Sequence, residues 1–453
     1  MNMKTKIFRG LKYLAILVVT FISLVLVINL SIFDEELTPE VAEMFEKQQQ
    51  AIEPDNAYIA IWGITADSNK DFIEAGIELM ARHHEITSSS ESSILTDLDM
   101  EQILGNRDLD RDWKKRYKNC RARTRNGCLK EMSELLNNYP IQDPRLLLML
   151  ERYSRMVKLT KYQPIMEIHF ASILPSYSEI MRLSQLRVSN VYLKKETMNT
   201  LLIIEEEIKF WKLMLKQSGD MLEKMISVAS LWRNYRYLSE IIKSETISLQ
   251  ESKKIQSMLM NLSMVEQDMA MVFNTETKMA LITLSDIMST GTNTMSSISG
   301  INVKNLSPFW QKNGTLNDAY VRNFIPLVCL SKLTAIDFYK FREQNNDYCE
   351  FPKEETTKYI NFSLYNPVGK MLVTIGLPAY PDYIARVHDL NGVISLVKLQ
   401  LELKSIADKD LEEAINNSAI KNHYTGEPME YNKENSNISF KCLDKSSECK
   451  INL

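Results

Sequence analysis

A run of 21 residues without a charged side chain, from Tyr13 to Phe33, constrains this chain more than any other feature. As a helix rising about 1.5 Å per residue, a run of this length spans the roughly 30 Å hydrocarbon layer of a bilayer. A cleaved signal peptide is the alternative, but its apolar region is usually about 7 to 15 residues long and ends in small residues. Here the run is longer and ends in Ile28-Asn29-Leu30-Ser31-Ile32, so the sequence favours an uncleaved transmembrane helix over 13–33.

Charged residues flank this run asymmetrically. Before it lie Lys4, Lys6, Arg9 and Lys12, and after it come Asp34, Glu35 and Glu36. Because positively charged flanks stay in the cytoplasm, the basic segment 1–12 is expected inside the cell and the rest of the chain outside the cytoplasm. The sequence therefore predicts a single-pass membrane protein with a cytoplasmic N-terminus and a C-terminal body outside the cytoplasm.

The rest of the chain is expected to be a large soluble body, mainly α and similar to a helical bundle. Gly and Pro, at 13 residues each, are scarce for a protein rich in β-turns. From Pro144 onward, apolar residues recur at steps of three and four, as in amphipathic helices. The apolar segment from Ala57 to Ile64 is too short for periodicity to distinguish a buried helix from a strand. Near the C-terminus, turn residues between short alternating segments predict a small β-hairpin.

A composition change near residue 290 gives the best internal boundary. Ser and Thr are abundant and charges are few over 291–308, which is either a linker between domains or a surface loop of one domain. The predicted parts after the membrane helix are an acidic spacer over 34–56, a helical body over 57–290 and 309–422 with the Ser/Thr-rich segment between, and a hairpin cap over 423–453.

The six cysteines fall in three local pairs: Cys120 with Cys128, Cys329 with Cys349, and Cys442 with Cys449. An even, clustered count outside the cytoplasm predicts disulfides, of which local pairing is the simplest arrangement. Buried free thiols are the alternative. None of the spacings is typical of a zinc site, so the sequence predicts no metal and no cofactor.

Three short patches of the sequence carry a resemblance. They are Tyr424-Thr-Gly-x-Pro-Met-x-Tyr431, Asn366-Pro-Val-Gly-Lys370, and Asn56-Ala-Tyr58 with Gly63. These patches resemble mainly helical envelope proteins of Gram-negative bacteria to which no activity is assigned. The resemblance implies that the membrane is the inner membrane of a bacterium and that the C-terminal body is periplasmic, and it implies nothing about catalysis.

Basic residues are most concentrated from Arg107 to Lys130, where ten Lys or Arg accompany three Asp, with Trp113 and Tyr117 among them. In the cytoplasm such a segment would suggest RNA. Outside it, an anionic lipid headgroup, an acidic glycan or an acidic protein fits better, with the aromatic residues at the interface. The alternative is a solvated loop closed by a disulfide. The residues predicted to contact an anionic surface are Lys114, Lys115, Arg116, Lys118, Arg121, Arg123 and Arg125.

Sequence signatures of catalysis are weak. Nucleotide-binding, nucleophile-elbow and zinc-protease motifs do not occur in the sequence. His388 beside Asp389 is the best acid–base candidate, because a carboxylate can orient an imidazole, although a surface polar pair is the ordinary interpretation. Two methionine pairs, Met258 with Met260 and Met269 with Met271, suggest copper less well than they suggest helical core.

These observations together predict a membrane-anchored interaction or scaffold protein of the bacterial envelope. Its expected partners are the membrane and other envelope proteins, and the net charge of −4 gives no general attraction to nucleic acid. One alternative is an envelope hydrolase acting on cell-wall or lipid substrates. The other is a carrier that encloses an apolar ligand.

Overall fold

The computed structural model describes residues 3–46, 53–89, 97–104, 111–165, 174–290, 309–350, 364–375 and 380–453. Within these ranges the protein is mainly α-helical with one small C-terminal sheet, which confirms the predicted fold class. The Ser/Thr-rich segment 291–308 lies outside the described residues.

The helices of the described residues are numbered here in chain order. The first ten are α1 (Met3–Ile28), α2 (Pro39–Phe45), α3 (Ala57–Gly63), α4 (Phe72–Ser89), α5 (Asp97–Leu104), α6 (Arg111–Arg116), α7 (Cys128–Asn138), α8 (Pro144–Met156), α9 (Tyr177–Tyr192) and α10 (Thr197–Gln217). The others are α11 (Met221–Ser244), α12 (Leu249–Met258), α13 (Met264–Gln267), α14 (Ala270–Thr290), α15 (Lys312–Ala319), α16 (Ile325–Ser331), α17 (Ala335–Gln344), α18 (Pro367–Ile375), α19 (Tyr380–Leu403) and α20 (Leu411–Asn417).

Helix α1 contains the apolar run. Its stretch Gly10–Ile28 has a mean hydropathy of 2.6 over 19 residues, and none of that stretch is buried against the rest of the protein. A helix of this length and composition can cross a membrane. The helix ends at Ile28 rather than at the predicted Phe33, because the side chain of Asn29 bonds back to the carbonyl of Val25 and the chain then turns.

The chain divides into two compact units, each assembled from segments far apart in sequence. The first unit comprises Met1–Gln48, Asn274–Cys329 and Asp347–Tyr380. The second comprises Gln49–Phe273, Leu330–Asn346 and Pro381–Leu453.

The first unit has a small apolar core built from helices α2, α14, α15 and α18. Its buried members are Val41, Leu281, Leu316, Ala319 and Val373. Val41 is only 1% exposed, and it belongs to the segment that the sequence suggested was a spacer. Helix α2 is therefore part of a folded unit and does not act as a free spacer.

Helix α11 lies at the centre of the second unit and packs against α7, α9 and α10. Its side chains are buried around most of its circumference, and Leu231, Trp232, Tyr235 and Leu238 are all 0% exposed. The helix also buries charged residues such as Arg233 and Arg236, so it is a core helix with polar groups on part of its surface.

Helix α3 settles the ambiguity of the segment from Ala57 to Ile64 in favour of helix. Asn56 begins this helix, since its side-chain oxygen accepts a hydrogen bond from Tyr58 N at 3.0 Å. Helices α3 and α4 then approach closely at Gly63, where an added Cβ would lie 1.7 Å from the carbonyl oxygen of Phe72. Only glycine fits this contact between two backbones.

The C-terminal sheet has three antiparallel strands in the order β1 (Glu430–Asn432), β2 (Asn437–Ser439) and β3 (Lys450–Asn452). Tyr431 and Ile451 both lie opposite Ile438, which is fully buried. The predicted hairpin is present as β1 and β2, and the strand β3 extends it.

All six cysteines pair with their nearest neighbours in sequence, as the simplest arrangement predicted. The Cα atoms are 5.8 Å apart in Cys120–Cys128, 5.7 Å in Cys329–Cys349 and 5.5 Å in Cys442–Cys449. Three disulfides agree with an oxidising compartment.

Candidate anion-binding cavity

The basic segment lies in the second unit, where its conformation is fixed by a disulfide and by the partly buried carboxylate of Glu240. Helix α6 leads into the loop closed by Cys120–Cys128, and α7 begins directly at Cys128. The carboxylate of Glu240, on helix α11, accepts hydrogen bonds from Gly127 N at 3.1 Å, Leu129 N at 3.0 Å and Lys130 N at 3.2 Å. A carboxylate at this position caps the N-terminus of α7 and holds the loop against the core.

The two aromatic residues of the segment point inward, so the expectation that they lie at an exposed interface is wrong. Trp113 is 5% exposed and Tyr117 is 2% exposed. The hydroxyl of Tyr117 donates to the carbonyl of Tyr139 at 2.8 Å, and the guanidinium of Arg182 lies 5.3 Å from the Trp113 ring. These rings attach the segment to the helical body and leave its charged side chains at the surface.

Three of the seven predicted contact residues are neutralised by carboxylates within the protein. Lys114 pairs with Glu179 at 2.7 Å, Arg123 pairs with Asp444 at 3.5 Å, and Arg125 pairs with Glu131. Among the residues that the structure describes, no carboxylate pairs with the other four, which are exposed: Lys115, Arg116, Lys118 and Arg121.

Three of these unpaired cations, Arg116, Lys118 and Arg121, line a cavity of about 410 Å³. Arg116, Lys118, Arg121 and Arg125 contribute positive charge to its wall, and Glu131 is the single carboxylate among the described residues that line it. The remaining lining residues are Asn119, Cys120, Thr124, Cys128, Met132, Leu135 and Gln185. The structure therefore gathers four of the predicted residues at one concave site and places Lys114, Lys115 and Arg123 outside its lining.

The buried side chain of Gln185 holds the wall of the cavity at the backbone of Cys120. Its Oε1 accepts from Cys120 N at 2.9 Å, and it is 1% exposed. The guanidinium of Arg116 lies 5.6 Å from the Tyr139 ring, which restricts that side chain as well. Because guanidinium groups present forked donors, this wall suits phosphate or carboxylate oxygens.

A second disulfide loop, closed by Cys442–Cys449, contacts the loop closed by Cys120–Cys128 and supports it. Glu448 N donates to the carbonyl of Arg123 at 2.9 Å, and the guanidinium of Arg123 donates to Ser446 at 2.9 Å. Arg236, which is 1% exposed, donates to Asn126 in the first loop and to the carbonyls of Glu448 and Lys450. The position of the cavity wall therefore depends on both loops.

The acid–base candidate His388–Asp389 is buried, so the interpretation of it as a surface pair is wrong. His388 is 1% exposed, its ring lies 4.9 Å from that of Phe338, and burial lowers its pKa to about 4. Asp389 is 0% exposed and accepts from Tyr424 Oη at 2.7 Å, Leu443 N at 3.0 Å and Asp444 N at 2.8 Å. Burial raises the pKa of Asp389 to about 6. This pair fixes the C-terminal loop to α19 and presents no accessible base to a substrate.

The ligand atoms of Asp389, Cys442 and Cys449 lie within 4.8 Å of one another. Because the two sulfurs are bonded to each other, they do not supply the thiolates that a metal ion requires. The methionine pairs are divided between core and surface: Met258 and Met269 are buried, whereas Met260 and Met271 are more than 60% exposed. Neither pair directs both sulfurs to one site.

Among the described residues, two carboxylates that are 0% exposed, Glu207 and Glu223, were not predicted from the sequence. Glu207 accepts hydrogen bonds from Tyr153, Ser184, Arg187 and Trp211 at 2.7 to 3.1 Å, and it is 0% exposed. In the sequence, a buried glutamate on a helix looks the same as one that faces solvent. The feature that could have indicated burial of Glu207 is the set of apolar residues on both sides of it: Leu201, Ile204, Ile208 and Trp211.

Glu223 is the second of these carboxylates and is also 0% exposed. It accepts from Tyr177 Oη at 2.6 Å and from Gly219 N at 2.7 Å. Its surroundings are aromatic and closed, so it has a structural role in the core.

Comparisons with known protein families, with curated proteins and with solved structures found no match.

Proposed function

We propose that this protein is a membrane-anchored interaction protein of the bacterial envelope whose basic cavity binds a phosphate- or carboxylate-bearing group. The observation that carries this proposal is the set of exposed cations around the cavity, where Arg116, Lys118 and Arg121 have no carboxylate partner among the described residues. A wall of this kind raises the local concentration of anions and offers them forked hydrogen-bond donors.

The location is part of the same proposal. The charge asymmetry around α1 supports a cytoplasmic N-terminus and a periplasmic body, and the three disulfides support an oxidising space. In that space, anionic groups are found on phospholipids, on acidic glycans and on acidic protein surfaces. The shared chemistry of these sources is an oxyanion.

Calorimetric titration tests the proposal directly. The full chain in phosphatidylcholine nanodiscs is titrated with inorganic pyrophosphate and, separately, with an oligomer of uronic acid. The triple variant Arg116→Glu, Lys118→Glu, Arg121→Glu is expected to bind at least about tenfold more weakly, because one charged hydrogen bond contributes about 1.5 kcal/mol. The two probes distinguish a phosphate ligand from a carboxylate ligand.

A matched control separates the cavity from overall charge. The variant Lys158→Glu, Lys253→Glu, Lys433→Glu makes the same charge change at exposed positions outside the cavity lining. It is expected to keep the wild-type affinity within about a factor of two, since exposed charges that do not touch the ligand are weakened by salt screening. Equal losses in both variants, or no binding of either probe to the wild type, would contradict the proposal.

A further inference from the structure

Buried amide side chains hold the residues that follow helix α1. Asn29, 3% exposed, accepts from Asn366 N at 2.8 Å, while its Nδ2 donates to the carbonyls of Val25 at 2.8 Å and Leu364 at 2.7 Å. One side chain thus joins the end of α1 to the segment that precedes α18. Asn366 itself is 1% exposed.

Further contacts bind the next residues of the chain to α15. The side chain of Gln311 donates to the carbonyls of Asn29 and Leu30. The carboxylate of Asp34 accepts from Asn313 N and Gly314 N, both at 2.9 Å, at the beginning of α15. A carboxylate placed on these free N–H groups is a strong helix cap, so the anchor and the first unit are joined at several points rather than by a flexible tether.

Exposed apolar side chains lie at this same junction. Ile32 is 79% exposed, Phe33 52%, Leu30 49% and Leu364 46%. They adjoin the apolar surface of α1, because Leu30 lies two residues after the end of that helix and the Leu364 carbonyl accepts a hydrogen bond from Asn29. The hydroxyl of Tyr365 donates to the carbonyl of Phe33 at 3.1 Å and adds an amphipathic ring, the type of side chain enriched where a protein meets lipid headgroups.

We infer that the first unit rests on the bilayer and inserts Leu30, Ile32, Phe33 and Leu364 into the boundary between headgroups and acyl chains. This inference rests on the proposed anchoring of α1 in a membrane. Because the junction is fixed by Asn29, Gln311 and Asp34, the anchor sets the orientation of the first unit on the lipid surface. The insertion ends at the acidic residues from Asp34 onward, since charged groups remain in water.

Site-directed spin labelling of the full chain in phosphatidylcholine nanodiscs tests this inference. Since all six native cysteines are in disulfides, single variants Ile32→Cys and Leu364→Cys can be labelled selectively. Each nitroxide is expected to collide more with oxygen, which partitions into lipid, than with a water-soluble nickel chelate. Leu17→Cys reports the bilayer interior, and Leu249→Cys, 74% exposed in the second unit, reports water.

The controls distinguish failure of this inference from failure of the anchoring on which it rests. If the label at Leu17 is in lipid while those at Ile32 and Leu364 behave like Leu249, the anchoring holds and the insertion is wrong. If the label at Leu17 is also in water, the anchoring itself is wrong. Adding Asn29→Ala is expected to increase the mobility of the Leu364 label without moving the Leu17 label from lipid, and an unchanged Leu364 spectrum would refute the rigid junction.

Discussion

Glu223 gives the second unit a pH-dependent stability whose sign can be worked out from its surroundings. Burial, followed in size by the neighbouring charge of Asp220, raises the pKa of this carboxyl from 4.5 to about 8. The folded protein therefore holds the proton up to about pH 8, whereas the unfolded chain releases it near pH 4.5. Because the folded state binds more protons in this interval, its free energy of unfolding falls as pH rises.

The magnitude follows from the same two values. Each unit of pKa difference corresponds to about 1.4 kcal/mol, so the contribution of Glu223 declines by about 5 kcal/mol between pH 4.5 and pH 8 and is constant beyond that range. Glu223→Gln has no proton to release and lacks this decline. Although the amide changes the bonds to Tyr177 and Gly219, that change adds a constant offset and leaves the slope unaltered.

Urea unfolding at a series of pH values measures the effect. Fluorescence of the buried Trp211 and Trp232 reports the second unit. The difference in unfolding free energy, wild type minus Glu223→Gln, is expected to fall from pH 5 to pH 8 at about 1.4 kcal/mol per unit. Glu413→Gln, at an exposed position, controls for the loss of a charge. A difference that stays constant with pH would show that Glu223 remains ionised in the folded protein, which would refute the reasoning.

Two further predictions concern packing and the cavity wall. Gly63→Ala is expected to lower the free energy of unfolding by about 3 kcal/mol or more, because the new methyl group meets the backbone of Phe72 and overpacking strains a core. Thermal unfolding followed by circular dichroism measures this loss of stability. An unchanged transition temperature would contradict the close contact. The double variant Cys442→Ser, Cys449→Ser is expected to lose about 2 to 3 kcal/mol of stability. It is also expected to bind pyrophosphate more weakly, since the loop that this disulfide closes holds Arg123. Unchanged affinity in calorimetry would show that the first disulfide loop holds the cavity alone.

The sequence was informative wherever structure depends on local pattern. The apolar N-terminal helix, the helical body, the local disulfides and the C-terminal hairpin all follow from composition, periodicity or spacing, and the structure contains each of them. The end of α1 was harder to predict, because Asn29 is uncharged and extends the apolar run. Its true role depends on Leu364 and Asn366, which are more than 300 residues away along the chain.

Long-range contacts also explain what the sequence analysis missed at the basic segment. The spacing of charges showed that Arg116, Lys118 and Arg121 are concentrated, but it contained no information on which cations are neutralised. Their partners come from other elements, as when Glu179 of α9 pairs with Lys114. The burial of Trp113 could not be inferred either, because it depends on Arg182 and on the packing of α9.

The positive charge of the cavity arises because three of the cations that line it lack carboxylate partners among the described residues, and it does not follow from the overall composition of the chain. The chain has 58 acidic and 54 basic residues, so carboxylates are available to neutralise every cation. Lys114 and Arg123 receive such partners, and both face neighbouring elements of the body. Arg116, Lys118 and Arg121 instead line a concave surface with one carboxylate, that of Glu131, which is already paired with Arg125. Exposed cations that repel one another reduce stability slightly, and a bound anion would remove that repulsion. A ligand that binds at this wall at free concentration L is therefore expected to stabilise the folded protein by RT ln(1 + L/Kd), so a melting temperature that rises with oxyanion concentration would report binding at the wall.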